Sequence, residues 1–115
     1  NWFRKDENND KLPGGFMWPG YGDNSRVLAW IFDRCDGKDN AVDTPIGFMP
    51  KDGSINTDGL ADYYKETLPE ILKVDTEGWL KEVDDIRNNH YPKFGKHLPK
   101  ELNDCLNDLE ARLKK

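Results

Sequence analysis

The segment FMWPGYGDNSRVLAWIFDRC, residues 16–35, joins an aromatic and glycine-rich loop directly to a helix pattern. Apolar residues in its second half recur at i, i+1, i+4, i+5 and i+8, which predicts one apolar stripe on a helix over residues 25–36. Asn24 or Ser25 can cap the start of this helix, and Gly37 can end it. The stripe consists of Val27, Leu28, Ile31, Phe32 and Cys35.

On either side of this helix we predict a loop over residues 1–24 and, further along the chain, a helical tail over residues 60–115. Short apolar runs in residues 44–50 favour a strand or an extended crossing segment. In the tail, the sequence Thr-Leu-Pro at residues 67–69 can open a short helix that runs through Leu72.

Two longer helices are predicted in the rest of the tail. Asp75 can cap the first, and Pro99 can open the second. Pro92 and Gly95 interrupt the pattern between them. The apolar positions of the two helices are Trp79, Val83 and Ile86, and then Leu102, Leu106, Leu109 and Leu113.

The composition is more polar than that of an ordinary globular domain. Of the 115 residues, 36% are hydrophobic against about 45–50% on average, and 34% are charged against about 25%. Because such a chain has little apolar surface to offset conformational entropy, we expect it to pack against a larger body. Cys35 and Cys105 are far apart, and we expect both to be reduced and on the core side of an intracellular protein.

The charge and the apolar runs exclude two classes of partner. The net charge of −5 disfavours a general nucleic-acid binder, which needs a surplus of Lys and Arg. No apolar run approaches the roughly 18 residues of a membrane span, so we expect no membrane partner.

Aromatic side chains are concentrated at the start of the chain. Five of its thirteen aromatic residues lie within residues 2–21, with glycines and a proline between them. Rings on such a loop can stack on a nucleotide base, which contributes about 1–3 kcal/mol per base, and the amide of Asn24 can read a purine edge. Alternatively, the loop covers the helix over residues 25–36. A phosphate cradle at Gly20 and Gly22 is a weaker hypothesis, since no Gly-Lys-Ser/Thr follows.

The remaining polar residues predict no catalytic and no metal-ligating site. His90 and His97 lie seven residues apart without a nearby cysteine, and no nucleophile–base arrangement is complete. Arg4 and Arg26 flank the aromatic loop and can contact phosphate or carboxylate, or can pair with neighbouring aspartates.

Three segments, in order, resemble the guanine-loop region of GTP-dependent phosphoenolpyruvate carboxykinases. NWFRKD at residues 1–6 and FMWPGYGDNSRVL at residues 16–28 are similar to the family forms NWFRKD and FLWPGFGENSRVLEW. TPIG at residues 44–47, followed by PK and later GL, matches the family's next landmark. The resemblance is looser in the tail. It implies an α/β fold, in which this chain is the C-terminal part of the nucleotide-binding domain and is mostly helical after residue 60.

The resemblance also implies which residues contact the nucleotide. In the family the guanine lies between two aromatic rings, and Phe3 and Tyr21 occupy those positions here, with Phe16 in place of a third ring. Trp2 and Trp18 match flanking aromatics, and Asn24 matches the residue that reads the base edge. The predicted contact residues are Phe3, Phe16, Tyr21, Gly22, Asp23 and Asn24.

The chain departs from the family pattern within this loop. Tyr21 stands where Phe is usual, which keeps the stacking face and adds a hydroxyl, and Asp23 replaces Glu. Between Phe3 and Phe16 the chain is about five residues longer. We interpret the extra residues as an outward bulge; the alternative is that they shift Phe16.

The family reaction converts oxaloacetate and GTP to phosphoenolpyruvate, carbon dioxide and GDP, in gluconeogenesis, with manganese or magnesium. The family's Gly-Lys-Thr phosphate loop, manganese ligands and mobile lid lie upstream of the matched region, and these residues contain none of them. The resemblance therefore implies a segment that supplies guanine recognition only and is inactive alone.

Its implied partners are GTP or GDP and the upstream catalytic part of the same chain, in a cytoplasmic or mitochondrial enzyme. The alternative hypothesis is a non-catalytic helical protein-interaction module. In that case the aromatic loop is a protein-binding surface, and the leucine stripe over residues 102–113 is part of the interface.

Overall fold

The structure is a computed structural model that describes residues 3–6 and 15–115. The described residues combine helices with one two-stranded sheet, which agrees with the α/β class at that level. They form two compact units. The flanking residue Trp2 and residues 7–14, on which the predicted outward bulge falls, lie outside the described residues.

The first unit contains the described residues up to Asp43 together with Phe48–Lys73. Its helices are α1 (Asn24–Cys35) and α2 (Asp62–Leu72). Between them in the sequence lies a hairpin of β1 (Ala41–Thr44) and β2 (Gly47–Pro50), whose two connecting residues require antiparallel pairing. Its innermost residues, Thr44–Gly47, belong to the second unit. The predicted strand or extended segment over residues 44–50 therefore contains the last residue of β1, the turn and the whole of β2.

Helix α1 confirms the predicted helix, but its first turn differs from the prediction. The helix begins at Asn24, and the residue at the N-cap position is Asp23, whose side chain makes no capping hydrogen bond. Neither predicted cap acts as one, because Asn24 and Ser25 lie inside the helix and use their side chains elsewhere. The Ser25 hydroxyl donates to the Gly22 carbonyl at 2.9 Å.

The apolar stripe of α1 is exposed except at Val27, which is half-buried. No residue of the helix is buried, and Phe32 is 70% exposed. Cys35 is exposed as well, and so is Cys105 in the second unit, so the expectation that both lie on the core side is wrong. Both cysteines are free, as expected. The periodicity of the stripe correctly gives the apolar face of α1, but a periodic stripe does not say what covers that face.

Helix α2 begins five residues before the predicted start at Thr67. Asp62 lies in its first turn, where a carboxylate interacts favourably with the helix dipole. Pro69 lies inside the helix and cannot donate to the Lys65 carbonyl. Both residues are exposed, so water can satisfy that carbonyl. For this reason the proline does not mark the helix start.

The second unit contains Thr44–Gly47 and Val74–Lys115. Its helices are α3 (Thr76–Asp85) and α4 (Lys100–Leu113). A π-helical turn, Ile86–His90, and a 3-10 helix, Tyr91–His97, follow α3. The predicted interruption is confirmed at Gly95, whose φ is 51°.

The caps and the core of the second unit follow the sequence closely. The Asp75 carboxylate accepts from the Gly78 amide at 3.0 Å, as its predicted capping role requires. A Cβ at position 78 would lie 2.4 Å from that carboxylate, so a larger residue there would require the Asp75 side chain to shift. The buried core consists of Val83, Leu106 and Leu113.

Glu110 of α4 receives hydrogen bonds from Lys114 and from Arg87, which follows α3. These two cations, Lys114 first, lower the pKa of the Glu110 carboxyl. The ion pair with Arg87 therefore links α4 to the π-helical turn that follows α3 at neutral pH.

Candidate functional site

The base of the aromatic loop is a short antiparallel bridge. Lys5 pairs with Phe16, the Asp6 amide donates to the Gly15 carbonyl at 2.9 Å, and the Met17 amide donates to the Arg4 carbonyl at 2.9 Å. This pairing fixes the register of Phe16 relative to the residues that follow Phe3.

The pairing brings two of the predicted contact residues together. The rings of Phe3 and Phe16 meet edge to face, with centroids 6.0 Å apart and planes at 73°. The ammonium of Lys5 lies 5.8 Å from the centroid of the Phe16 ring. The longer chain between Phe3 and Phe16 thus does not separate their rings.

Helix α2 holds this bridge through polar groups of three residues on one face. Tyr63 donates to the Asp6 carboxylate at 3.2 Å, and the Arg4 guanidinium donates to the carbonyl of Glu70 at 3.2 Å. Between them, the Thr67 hydroxyl donates to the Met17 carbonyl at 2.7 Å. Thr67 is only 7% exposed, so this bond is shielded from water.

Sequence reasoning missed these three anchors. Tyr63, Thr67 and Glu70 are spaced i, i+4 and i+7, which places polar groups on one helical face. That spacing was available as a signal. The predicted helix start at Thr67 places Pro69 in the first turn and leaves Tyr63 outside the helix, so the spacing is not recognised.

The turn before α1 uses its amides within the backbone. Gly20 adopts φ of 91°, a conformation that favours glycine, and its carbonyl accepts from the Asn24 amide at 3.0 Å. The amide of Arg26 donates to the Asp23 carbonyl at 3.0 Å. These two amides at the start of α1 are therefore not available to an anion, which weakens the phosphate-cradle hypothesis.

The charged residues of this turn pair with each other. The Arg26 guanidinium donates to the Asp23 carboxylate at 2.9 Å and to the Asn56 carbonyl at 2.9 Å. Of the two roles considered for Arg26, the structure thus shows the pairing with aspartate. Arg4 pairs instead with Glu70, at 3.4 Å between its guanidinium and the carboxylate.

The two predicted contact residues at the tip of the turn have open surroundings. Tyr21 is 97% exposed, and a Cβ built at Gly22 would meet no heavy atom within 4 Å. Phe3 is 77% exposed, so a flat ligand has access to both rings.

The other two predicted residues, Asp23 and Asn24, have polar partners. Asp23 pairs with Arg26, as described above. The Asn24 amide oxygen accepts a hydrogen bond from the indole nitrogen of Trp18 at 2.8 Å. Trp18, which sequence reasoning treated only as a flanking aromatic, thus contacts the residue predicted to read the base.

Two kinds of feature are absent from residues 3–6 and 15–115. No group of three or more His, Cys, Asp or Glu side chains is placed to hold a metal ion. No helix in this part of the chain has the length and apolar character needed to cross a bilayer.

The sequence matches a known family over nearly its whole length. Residues 1–112 match the family described as the phosphoenolpyruvate carboxykinase C-terminal P-loop domain. The chain belongs to this family. The match includes the tail, where the resemblance in sequence is looser.

Curated relatives carry the name phosphoenolpyruvate carboxykinase [GTP]. The protein from Treponema pallidum (strain Nichols) is 62% identical over 113 residues, which is 98% of this chain and 17% of the relative. That from Neocallimastix frontalis is 49% identical over 115 residues, 99% of this chain and 18% of the relative. The relative from Chlamydia muridarum is 45% identical over the same length and coverage. The chain therefore spans less than a fifth of the carboxykinases it matches.

The Thr67 anchor generates a testable prediction. Thr67→Val keeps the shape of the side chain but leaves the buried Met17 carbonyl without its donor, so we expect the free energy of unfolding to fall by about 1–3 kcal/mol. Urea unfolding of the chain, followed by circular dichroism, measures this.

Thr67→Ser is the matched control, because it keeps the hydroxyl and loses one methyl group, at about 0.8 kcal/mol. A valine variant as stable as the wild type, or a serine variant as damaged as the valine variant, would contradict the anchoring role.

Proposed function

We propose that this chain forms the guanine-binding part of a GTP-dependent phosphoenolpyruvate carboxykinase. The whole enzyme would convert oxaloacetate and GTP to phosphoenolpyruvate, carbon dioxide and GDP, with a divalent metal held by residues outside this chain. A cytoplasmic location is part of the same prediction.

The observation that carries the proposal is the exposure of large aromatic rings beside a polar turn. Phe3 and Tyr21 present open faces on a loop whose backbone is tied to α2 and to the start of α1. An exposed ring on an anchored loop loses little conformational entropy when a base stacks on it. We propose that the guanine stacks between these two rings and that Phe16 closes one edge of the pocket.

The backbone hydrogen bonds of the turn support a base site over a phosphate site. The amides of Asn24 and Arg26 already donate to carbonyls, and the carboxylate of Asp23 adds negative charge at the helix N-terminus. A phosphate group would find these amides already bonded and would be repelled by the Asp23 carboxylate. An uncharged base would not be repelled. The phosphates would then be bound by the part of the relatives' length that this chain does not span.

The interaction-module hypothesis is less well supported, because most of its leucine stripe is used internally. Of the leucine stripe, Leu106 and Leu113 are buried in the second unit, and Leu109 packs against them. Only Leu102 is substantially exposed. This leaves little of the stripe for a separate partner.

The exposed apolar side chains of the first unit suggest where the rest of the enzyme packs. Phe32 and Ile31 of α1 and Phe48 of β2 are exposed, and an open cavity of about 310 Å³ is lined by Ile31, Phe48 and other apolar residues. Such exposure is typical of a surface that is covered in a larger assembly. We propose that the catalytic part of the same polypeptide covers it.

We predict that ring and amide truncations weaken guanine binding in the full-length enzyme. Tyr21→Ala removes a stacking face, which corresponds to about 1–3 kcal/mol of binding free energy per base, or roughly 5- to 150-fold in affinity for GTP. Asn24→Ala is expected to reduce the preference for GTP over ATP. Isothermal titration calorimetry with both nucleotides measures the two effects.

Tyr21→Phe is the control, because it keeps the ring and removes only the hydroxyl. Wild-type affinity for GTP and an unchanged preference over ATP in both alanine variants would refute the base site.

We also predict that Phe32→Ser destabilises the full-length enzyme. If the catalytic part buries this ring, its loss costs about 1.5–3 kcal/mol, measured as a lower midpoint of thermal or urea unfolding. Lys81→Ser, at an exposed position of α3, serves as the control and should have almost no effect. A serine variant at position 32 as mild as the control would show that the surface stays open.

A further inference from the structure

The indole of Trp18 determines which end of the Asn24 side chain faces away from the protein core. Its Nε1–H group can only donate a hydrogen bond, and it lies 2.8 Å from the Asn24 side-chain oxygen. The opposite orientation of the amide would place two donors against each other. The amide of Asn24 therefore has a defined polarity.

The donor itself is buried. Trp18 is 6% exposed, and it lines an apolar cavity together with Val27, Trp30 and Leu68. Turning the ring so that its N–H group leaves Asn24 would place a buried donor against apolar surroundings without a partner. The hydrogen bond is thus set by the core of the first unit rather than by the exposed turn.

The free end of the Asn24 side chain is its NH₂ group. Among residues 3–6 and 15–115, no side chain or carbonyl accepts a hydrogen bond from it. Asn24 is also the first residue of α1 and directly follows the exposed turn at Tyr21. The group that the protein presents at this position is therefore a donor.

A donor at this position distinguishes the two purines by their chemistry. Guanine carries an acceptor, O6, where adenine carries an amino group, N6, which is itself a donor. An NH₂ group at the base edge can donate a hydrogen bond to O6 of guanine. It finds no acceptor in the N6 amino group of adenine, because both groups are donors. A side-chain amide free to rotate would accommodate either base.

We propose that Trp18 is a positioning residue that sets the polarity of Asn24 and thereby selects a 6-oxo purine over a 6-amino purine. This inference rests on the proposed base site and adds to it the origin of its selectivity. The selectivity depends on a buried residue that does not itself need to touch the nucleotide.

The test is Trp18→Phe in the full-length enzyme, with kcat/KM measured for GTP, inosine triphosphate and ATP. Phenylalanine keeps an aromatic ring and removes the N–H group. We expect kcat/KM for GTP and for inosine triphosphate, which also carries O6, to fall by roughly 3- to 10-fold relative to that for ATP.

Trp30→Phe is the matched control. Trp30 lines the same cavity, and its indole nitrogen donates to the Asn40 carbonyl at 2.9 Å, away from the turn. The loss of ring volume is the same in both variants, so a change in the ratio between nucleotides that occurs only at position 18 reports the hydrogen bond to Asn24.

Asn24→Asp provides a second variant that leaves the core intact. The carboxylate can still accept from Trp18 but offers no donor to the base, so the preference for GTP and inosine triphosphate over ATP should fall here too. An equal change for all three nucleotides in both variants, or no change in either, would overturn the inference.

Failure of this inference is distinguishable from failure of the base site. If the site exists without the Trp18 effect, Tyr21→Ala weakens GTP binding while Trp18→Phe leaves the ratio of GTP to ATP unchanged. If the site does not exist, Tyr21→Ala leaves GTP binding unchanged as well.

Discussion

The hydrogen bond from the Thr67 hydroxyl to the Met17 carbonyl connects the aromatic loop to the helical part of the first unit. It is a buried bond in a region of exposed polar contacts, so its loss would leave a carbonyl that water does not reach. Met17 lies between Phe16, whose ring meets Phe3, and Trp18, whose indole reaches Asn24. The Thr67 anchor on α2 therefore helps to fix both neighbours of Met17, Phe16 and Trp18.

The anchored backbone explains why exposed rings can serve as a binding surface. Exposed aromatic side chains on a mobile loop would lose conformational entropy when a ligand binds. Here the bridge at Lys5 and Phe16, the Thr67 bond and the turn at Gly20 hold the backbone on each side of the rings. The side chains remain open while the chain that carries them is fixed.

Local patterns in the sequence predicted the local elements well. The periodic stripe predicted α1, Asp75 predicted the cap of α3, and the leucine spacing predicted the core face of α4. In each case the residues that form the sequence pattern belong to the element itself or lie directly beside it, so the prediction depends little on the rest of the chain.

The errors have a different origin, since each depends on surroundings that the local pattern does not encode. Asn24 does not cap α1 because Trp18 occupies its side-chain oxygen, and α2 continues through Pro69 on an exposed face. The exposure of the α1 stripe does not follow from the sequence, because periodicity identifies an apolar face without identifying what covers it. The candidate base residues came from resemblance to a family, and their contacts with GTP stay a prediction.

Hydrogen–deuterium exchange of the full-length enzyme, with GDP or with ADP at equal concentration, tests the central claim most directly. If the loop binds the guanine base, GDP slows amide exchange in peptides that cover residues 15–26, and ADP does so much less. Equal protection by both nucleotides, or no protection of these residues by GDP, would contradict a guanine site on this loop.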